Sequence, residues 1–210
     1  RSPGGVHPRC VRLARDGTHV SRPPRKPGTL TGHLGRAPGK WLGAVNTPVF
    51  RASTILFPTV ADLKAAAAGE YPGLTYGLHG LPTVSDLESA IAELEGGHAA
   101  LAVPSGLTAT TLPLLALLNP GDHLLMTDSV YGPTRRFCNN HLTRLGVEVS
   151  YYDPLLGAAI EREFRPNTRV VFTESPGSLT FCVQDIPAIA EVAHRRGALV
   201  ITDNSWATPF

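Results

Sequence analysis

Asn119-Pro120-Gly121-Asp122-His123-Leu124-Leu125-Met126-Thr127-Asp128-Ser129-Val130-Tyr131-Gly132-Pro133 reads as one complete joint of an α/β chain. Asn119–Asp122 is a turn, because proline cannot continue a helix and glycine takes backbone angles that other residues avoid. His123–Thr127 is a short apolar run with the length of a buried strand. Asp128–Pro133 is a polar, small-residue exit from that strand. The pattern then predicts a helix over Pro133–Leu145 that Gly146 stops.

The same alternation continues on both sides. A helix is predicted over Leu107–Leu118, and strands over Val147–Tyr151, Arg169–Thr173 and Ala198–Thr202. Between the last two, Asp185 caps a helix with Ile186, Ile189 and Val192 inward and Gly197 as its stop. Upstream, Ala99–Val103 is a candidate buried strand. Before it, Thr83 is a candidate N-cap with Asp86 three residues on, a capping box. Val84, Leu87, Ile91 and Leu94 share one face of that helix, and Gly96-Gly97 ends it. Thr59–Ala68 is a shorter helix ended by Gly69, and Tyr71–Pro82 reads as an extended loop. Strands separated by helices imply a mostly parallel sheet covered on both faces. In such sheets ligands bind beyond the carboxyl ends of the strands.

Composition narrows the function classes. The chain has 210 residues, 42% of them hydrophobic and 17% charged, as in soluble globular domains. No run of eighteen apolar residues suggests a membrane span. Cys10, Cys138 and Cys182 are far apart, which fits neither a disulfide framework nor a zinc site and suits a reducing cytoplasm. The eight His show no metal-binding spacing, so no metal is expected. The net charge of +2 hides an asymmetry: residues 1–40 carry nine Lys or Arg against Asp16 alone, and the remainder is net acidic. Residues 1–40 therefore read as a basic extension, disordered or not native to the protein. Without interleaved aromatics they make a poor nucleic-acid arm. Residues 41–82 read as an arm and loop, and 83–210 as part of a ligand-binding α/β domain.

The strand ends supply the candidate chemistry. Val103-Pro104-Ser105-Gly106-Leu107 opens a helix whose first N–H groups can hold a phosphate, and Gly106 permits close approach. Tyr131 follows the next strand and can stack on a flat ring. Glu174-Ser175-Pro176-Gly177-Ser178 follows a third strand with a carboxylate and two hydroxyls. Asp203 ends the last strand, where a carboxylate needs a partner such as a protonated ring nitrogen. Taken alone, an ordinary Ser-Gly turn before a helix and a half-buried core tyrosine are the better readings of the first two, and capping, loop packing or ion pairing explains the other two equally well.

Their order and spacing are more specific. With Leu42-Gly43-Ala44-Val45-Asn46, Arg51-Ala52-Ser53-Thr54, Tyr76-Gly77-Leu78-His79-Gly80, Leu94-Glu95-Gly96-Gly97 and Thr202-Asp203-Asn204-Ser205-Trp206-Ala207, the set resembles the Cys/Met-metabolism family of pyridoxal-phosphate enzymes. The resemblance runs from about Leu42 to Phe210. Asp153–Ala158 and Glu174–Thr180 look most like the cystathionine β-lyase branch. It implies the aspartate aminotransferase-like fold (fold type I), with pyridoxal 5'-phosphate as cofactor. Ser105, Gly106, Leu107, Tyr131, Ser178 and Asp203 would bind that cofactor, Tyr131 by stacking and Asp203 at the ring nitrogen. Tyr131 and Asp203 would be catalytic, as would Tyr76, reaching into a neighbouring subunit's site. The implied reaction is carbon–sulfur elimination from cystathionine, with a γ-acting relative as the alternative. A nucleotide-binding module and a non-functional fragment are rival readings. The implied partners are a small amino-acid substrate and further copies of the chain, as a tetramer when complete, with neither nucleic acid nor membrane. The family's Schiff-base lysine is expected outside this chain, since Lys26, Lys40 and Lys64 all precede the cofactor elements. Leu78 stands where the family's loop has a phosphate-contacting arginine, and losing such a charge-assisted bond costs about 1.5–3 kcal/mol.

Overall fold

Residues 26–208 are described by the computed structural model, and they divide between Leu101 and Ala102 into two units. The expectations for residues 1–25, Cys10 among them, lie outside the described residues. Within the first unit, α1 (Pro27–Thr31), α2 (Val60–Ala68) and α3 (Pro82–Leu94) are joined by loops. Thr59 caps α2 through a reciprocal pair with Asp62, and Gly69, in the left-handed region, ends it.

The start of α3 differs from the expected Thr83 cap. Leu81 is the N-cap and Pro82 the first helical residue. A proline at that position lacks only an N–H that would be unsatisfied anyway. Thr83 and Asp86 bond instead to an incoming segment. Thr83 Oγ1 accepts from Phe50 N at 2.9 Å and donates to Pro48 O at 3.0 Å, and Thr47 Oγ1 donates to the Asp86 carboxylate. Val84, Leu87 and Ile91, which share one face of the helix, are exposed. The loop after α2 is tied down: Tyr76 bridges Thr54, and Gly77 N donates to Ser53 O at 2.7 Å. A Cβ on Gly77 would stand 2.0 Å from Ala52 O, so only glycine fits. Leu78 sits in the one-turn helix Gly77–His79 and is exposed.

Ala99–Val103 forms no strand. A strand is made by ladder bonds to a neighbouring strand, and this run belongs to no ladder. Four strands do form in the second unit: β1 (His123–Thr127), β2 (Glu148–Tyr152), β3 (Thr168–Glu174) and β4 (Leu199–Asp203). All pairs are parallel, in the order β2-β1-β3-β4. The chain leaves β1 towards β2 and returns to the other side of β1 as β3, so the order reverses between β1 and β3. Around the sheet lie α4 (Gly106–Leu117), α5 (Gly132–Phe137) and α6 (Ile186–Arg195). The single helix expected over Pro133–Leu145 changes pitch: α5 continues as a π-turn over Cys138–Leu142 and a last tight turn to Leu145.

Alternate residues of β1 and β3 feed opposite cores. Leu124, Met126, Val170 and Phe172 pack with Leu114, Cys138 and Leu142. Leu125 and Val171 pack on the other face with Ile160, Ile189 and Val192. This period-two division explains why both strands read as continuous apolar runs. Asp185 caps α6 through Ala188 N, and Gly197 follows with positive φ, as expected. No helix among the described residues is long and apolar enough to cross a membrane.

His123 opens β1 fully buried, with Nδ1 2.7 Å from Thr168 Oγ1 and Nε2 2.7 Å from Ser150 Oγ. Burial first, then the Arg165 charge, push its pKa down to about 4, against an opposing pull from Glu148. The folded value lies below the unfolded one near 6.5, so the stabilising effect is present above that value. It is lost as pH falls from there towards 4. Urea midpoints should be compared for the native chain and His123→Gln from about pH 7.5 to about pH 4. The stability difference should shrink by up to about 1.4 kcal/mol per pH unit. A pH-independent difference would remove His123 as the acid-sensitive group.

Candidate functional site

Beyond the carboxyl ends of β1, β3 and β4 lies a cavity of about 590 Å³, lined entirely by the second unit. Its position follows from the sheet, since the reversal of strand order between β1 and β3 parts the loops at that edge. Gly106, Leu107, Tyr131, Ser178 and Asp203 all line it, so five of the residues chosen from sequence meet in one space.

One wall is the start of α4. Ser105 is the N-cap, and its hydroxyl accepts from Thr108 N at 3.1 Å. Its side chain is thus engaged in holding the helix end. The N–H groups of Gly106 and Leu107, the first two helical residues, have no acceptor within the helix. A Cβ on Gly106 would meet nothing within 4 Å, so the space in front of the helix end is open. Free N–H groups and the helix dipole together favour an anion there.

The floor is made by two strand ends. Glu174 and Asp203 are register partners on β3 and β4. Asp203 Oδ1 accepts from Ser205 N at 3.0 Å. Glu174 is only 8% exposed, and its Oε2 accepts from Tyr131 N at 2.8 Å. Burial raises the Glu174 pKa and the Asp203 charge raises it further, while the bond from Tyr131 N–H opposes the shift. Tyr131 itself is half exposed, its ring on the cavity wall.

The remaining wall is the loop from Ser175 to Gln184. Gln184 anchors it from below: Nε2 donates to Glu174 O at 2.7 Å and to Thr127 Oγ1 at 3.2 Å, and Tyr152 Oη donates to Oε1 at 2.8 Å. Ser178 N donates to Ser129 O at 2.8 Å, tying the loop to the end of β1. Leu179 and Phe181 hold positive φ, an uncommon conformation for such residues. Phe181 and Trp206 meet edge to face at 5.5 Å on the cavity rim.

Tyr76 lies in the first unit, on the Thr54 bridge. Glu174 lies in a segment singled out from sequence but was not among the residues expected to form the site. The available signal was its equivalence to Asp203, since each is the acidic last residue of an apolar strand. Phe181 and Trp206 carried no such signal, because nothing local in the sequence separates a rim aromatic from a core one. Among the described residues, no group of three or more His, Cys, Asp or Glu is placed to hold a metal.

The model of the Cys/Met metabolism PLP-dependent enzyme family matches residues 28–210. A Rhizobium johnstonii protein named provisionally as a cystathionine β-lyase is 53% identical over 84% of this chain and 44% of its own length. The cystathionine β-lyase of Escherichia coli K12 is 42% identical over 83% of this chain and 45% of its own. A solved structure of metB from Corynebacterium glutamicum superposes with a TM-score of 0.77 at 28% identity, covering 86% of this chain and 45% of that one. The chain spans about half the length of the curated relatives it matches.

Gly177 gives a direct test of how tightly the loop wall is set. A Cβ there would stand 2.5 Å from Ser129 Oγ and 2.6 Å from Ser129 Cβ. Gly177→Ala should therefore lower stability by about 1–3 kcal/mol, the usual effect of overpacking. An unchanged denaturant midpoint would show that the loop yields freely.

Proposed function

The chain belongs to the Cys/Met-metabolism family of pyridoxal-phosphate-dependent enzymes, and we propose that it forms the cofactor-holding part of a cystathionine β-lyase. The observation that carries this reading is the convergence of a helix N-terminus, an aromatic wall and an acidic floor on one cavity. The three suit the three parts of pyridoxal phosphate: a dianionic phosphate, a flat ring and a basic ring nitrogen. The open space in front of Gly106 is of the kind a phosphate needs, since a side chain at that residue would fill it. The cofactor, when bound, supplies an electron-accepting ring that stabilises negative charge at the substrate's α carbon.

In this reading the chain's own residues bind and orient. The Gly106 and Leu107 N–H groups, with the Ser178 hydroxyl, hold the phosphate. The Tyr131 ring covers one face of the cofactor ring. Asp203 would accept a hydrogen bond from the protonated ring nitrogen and keep it charged. Tyr76 acts at the site of a neighbouring copy, which makes the working protein an oligomer, tetrameric by likeness to the family. The substrate is a small sulfur amino acid, cystathionine, and the products are homocysteine, pyruvate and ammonia. The names of the Rhizobium and Escherichia relatives favour this reaction. A relative from Pseudomonas putida, 38% identical over 85% of this chain, is named an L-methionine γ-lyase, so elimination at the γ carbon is the second reading.

Product analysis with cystathionine separates the two. The full protein that contains this sequence should yield pyruvate and homocysteine, and 2-oxobutyrate with cysteine would assign it to the γ-acting enzymes. Asp203→Asn keeps an acceptor for Ser205 N–H but removes the charge. It should lower kcat/KM on the order of a hundredfold or more, the scale of losing one preorganised electrostatic partner, with little change in unfolding midpoint. Full activity in that variant would refute the role given to Asp203.

A further inference from the structure

Glu174 stands on the cavity floor beside Asp203, yet its carboxylate is turned towards backbone. An acid is an unfavourable choice for this position. The residue is almost wholly buried and a second carboxylate is its strand neighbour, and both resist ionisation. What favours the charged form is the Tyr131 N–H, 2.8 Å from Glu174 Oε2. That bond spans 43 positions of sequence and joins the end of β3 to the residue that caps α5.

That bond has a rigid base. The Glu174 carbonyl is held by Gln184 Nε2, and β3 is paired on both sides. Tyr131, by contrast, lies past the end of β1, half exposed. Its ring direction therefore depends on where its backbone is fixed. We infer that Glu174 is a positioning residue, whose carboxylate holds the Tyr131 backbone so that the phenol ring stays flat against a planar ligand in the cavity. It acts through Tyr131 and does not pair with the ligand's own charge, which is left to Asp203. The inference rests on the reading above that pyridoxal phosphate occupies this cavity.

The test is the dissociation constant of pyridoxal phosphate from the full protein that contains this sequence, by equilibrium dialysis, in a double-mutant cycle. Tyr131→Ala should weaken binding. Glu174→Ala should weaken it about tenfold, while Glu174→Gln, which keeps an oxygen for Tyr131 N–H, should stay within about twofold. In the Tyr131→Ala background, Glu174→Ala should add less than about twofold, because one interaction has already been removed. A merely structural role would lower the unfolding midpoint without this coupling. If Glu174→Ala does not fold, Glu174→Met, of similar volume and without an acceptor, replaces it. Glu174→Gln as weak as Glu174→Ala would overturn the inference in favour of a charge role, and additive losses in the double variant would overturn it outright. Weakening by Tyr131→Ala with Glu174 silent sinks the inference alone. Binding that is absent in the full native protein, or indifferent to Tyr131→Ala, sinks the cavity reading and the inference with it.

Discussion

β3 is paired on both edges and buried at six of its seven residues, and the second unit is organised by that constraint. A strand in this position has no face to give to solvent. Its polar groups must therefore sit at its ends, where the ladder stops and loops diverge. Arg165 N bonds to Thr168 at one end, and Glu174 receives Tyr131 N–H at the other. The apolar interior of the strand is what makes its last residue matter. The same rule places Asp203 at the end of β4 and Asp128 just past β1. Parallel pairing then brings these ends to one edge of the sheet, since every strand runs the same way.

The cavity inherits two different kinds of wall from this arrangement. Its floor is polar and tightly referenced to the sheet, through Glu174, Asp203 and the buried Gln184. Its rim is apolar and outward, with Leu179, Phe181 and Trp206 all well exposed. Polar groups fixed in place are suited to holding a charged ligand without reorganisation. Apolar side chains on the rim are suited to displacing water from it.

Most of the second unit was legible in the sequence because its signals are local. Turn residues fix the strand starts, as at Asn119–Asp122, and glycines fix the helix ends, as at Gly146 and Gly197. Four strands were placed to within one residue at each end. The first unit was less legible. Thr83 and Asp86 have the spacing of a capping box, yet both bond to Thr47–Phe50, a partner some 33–39 positions away that no local pattern announces. Ala99–Val103 has strand composition, but strand formation is decided by a neighbour, and composition does not supply one. The site itself was read mainly from the order of its motifs, and single residues would not have sufficed: Tyr131 alone is an ordinary half-buried tyrosine, and Asp203 alone an ordinary strand-end acid.

Gln184 shows what such reading leaves out. It follows an irregular loop, precedes a helix cap and has no motif to its name. In the fold it is buried at 5% and bonds to Tyr152, Thr127 and the Glu174 carbonyl. Each of those partners belongs to a different strand. Leaving any of them unsatisfied in so dry a place would be costly, so the loop has little choice of where to land. That fixes the Ser175–Gln184 segment against the sheet at its base, while Leu179 and Phe181 are exposed at its tip. The loop thus presents an exposed apolar tip over a floor tied to three strands. This division of labour follows from where backbone and side-chain hydrogen bonds are available, before any ligand is considered.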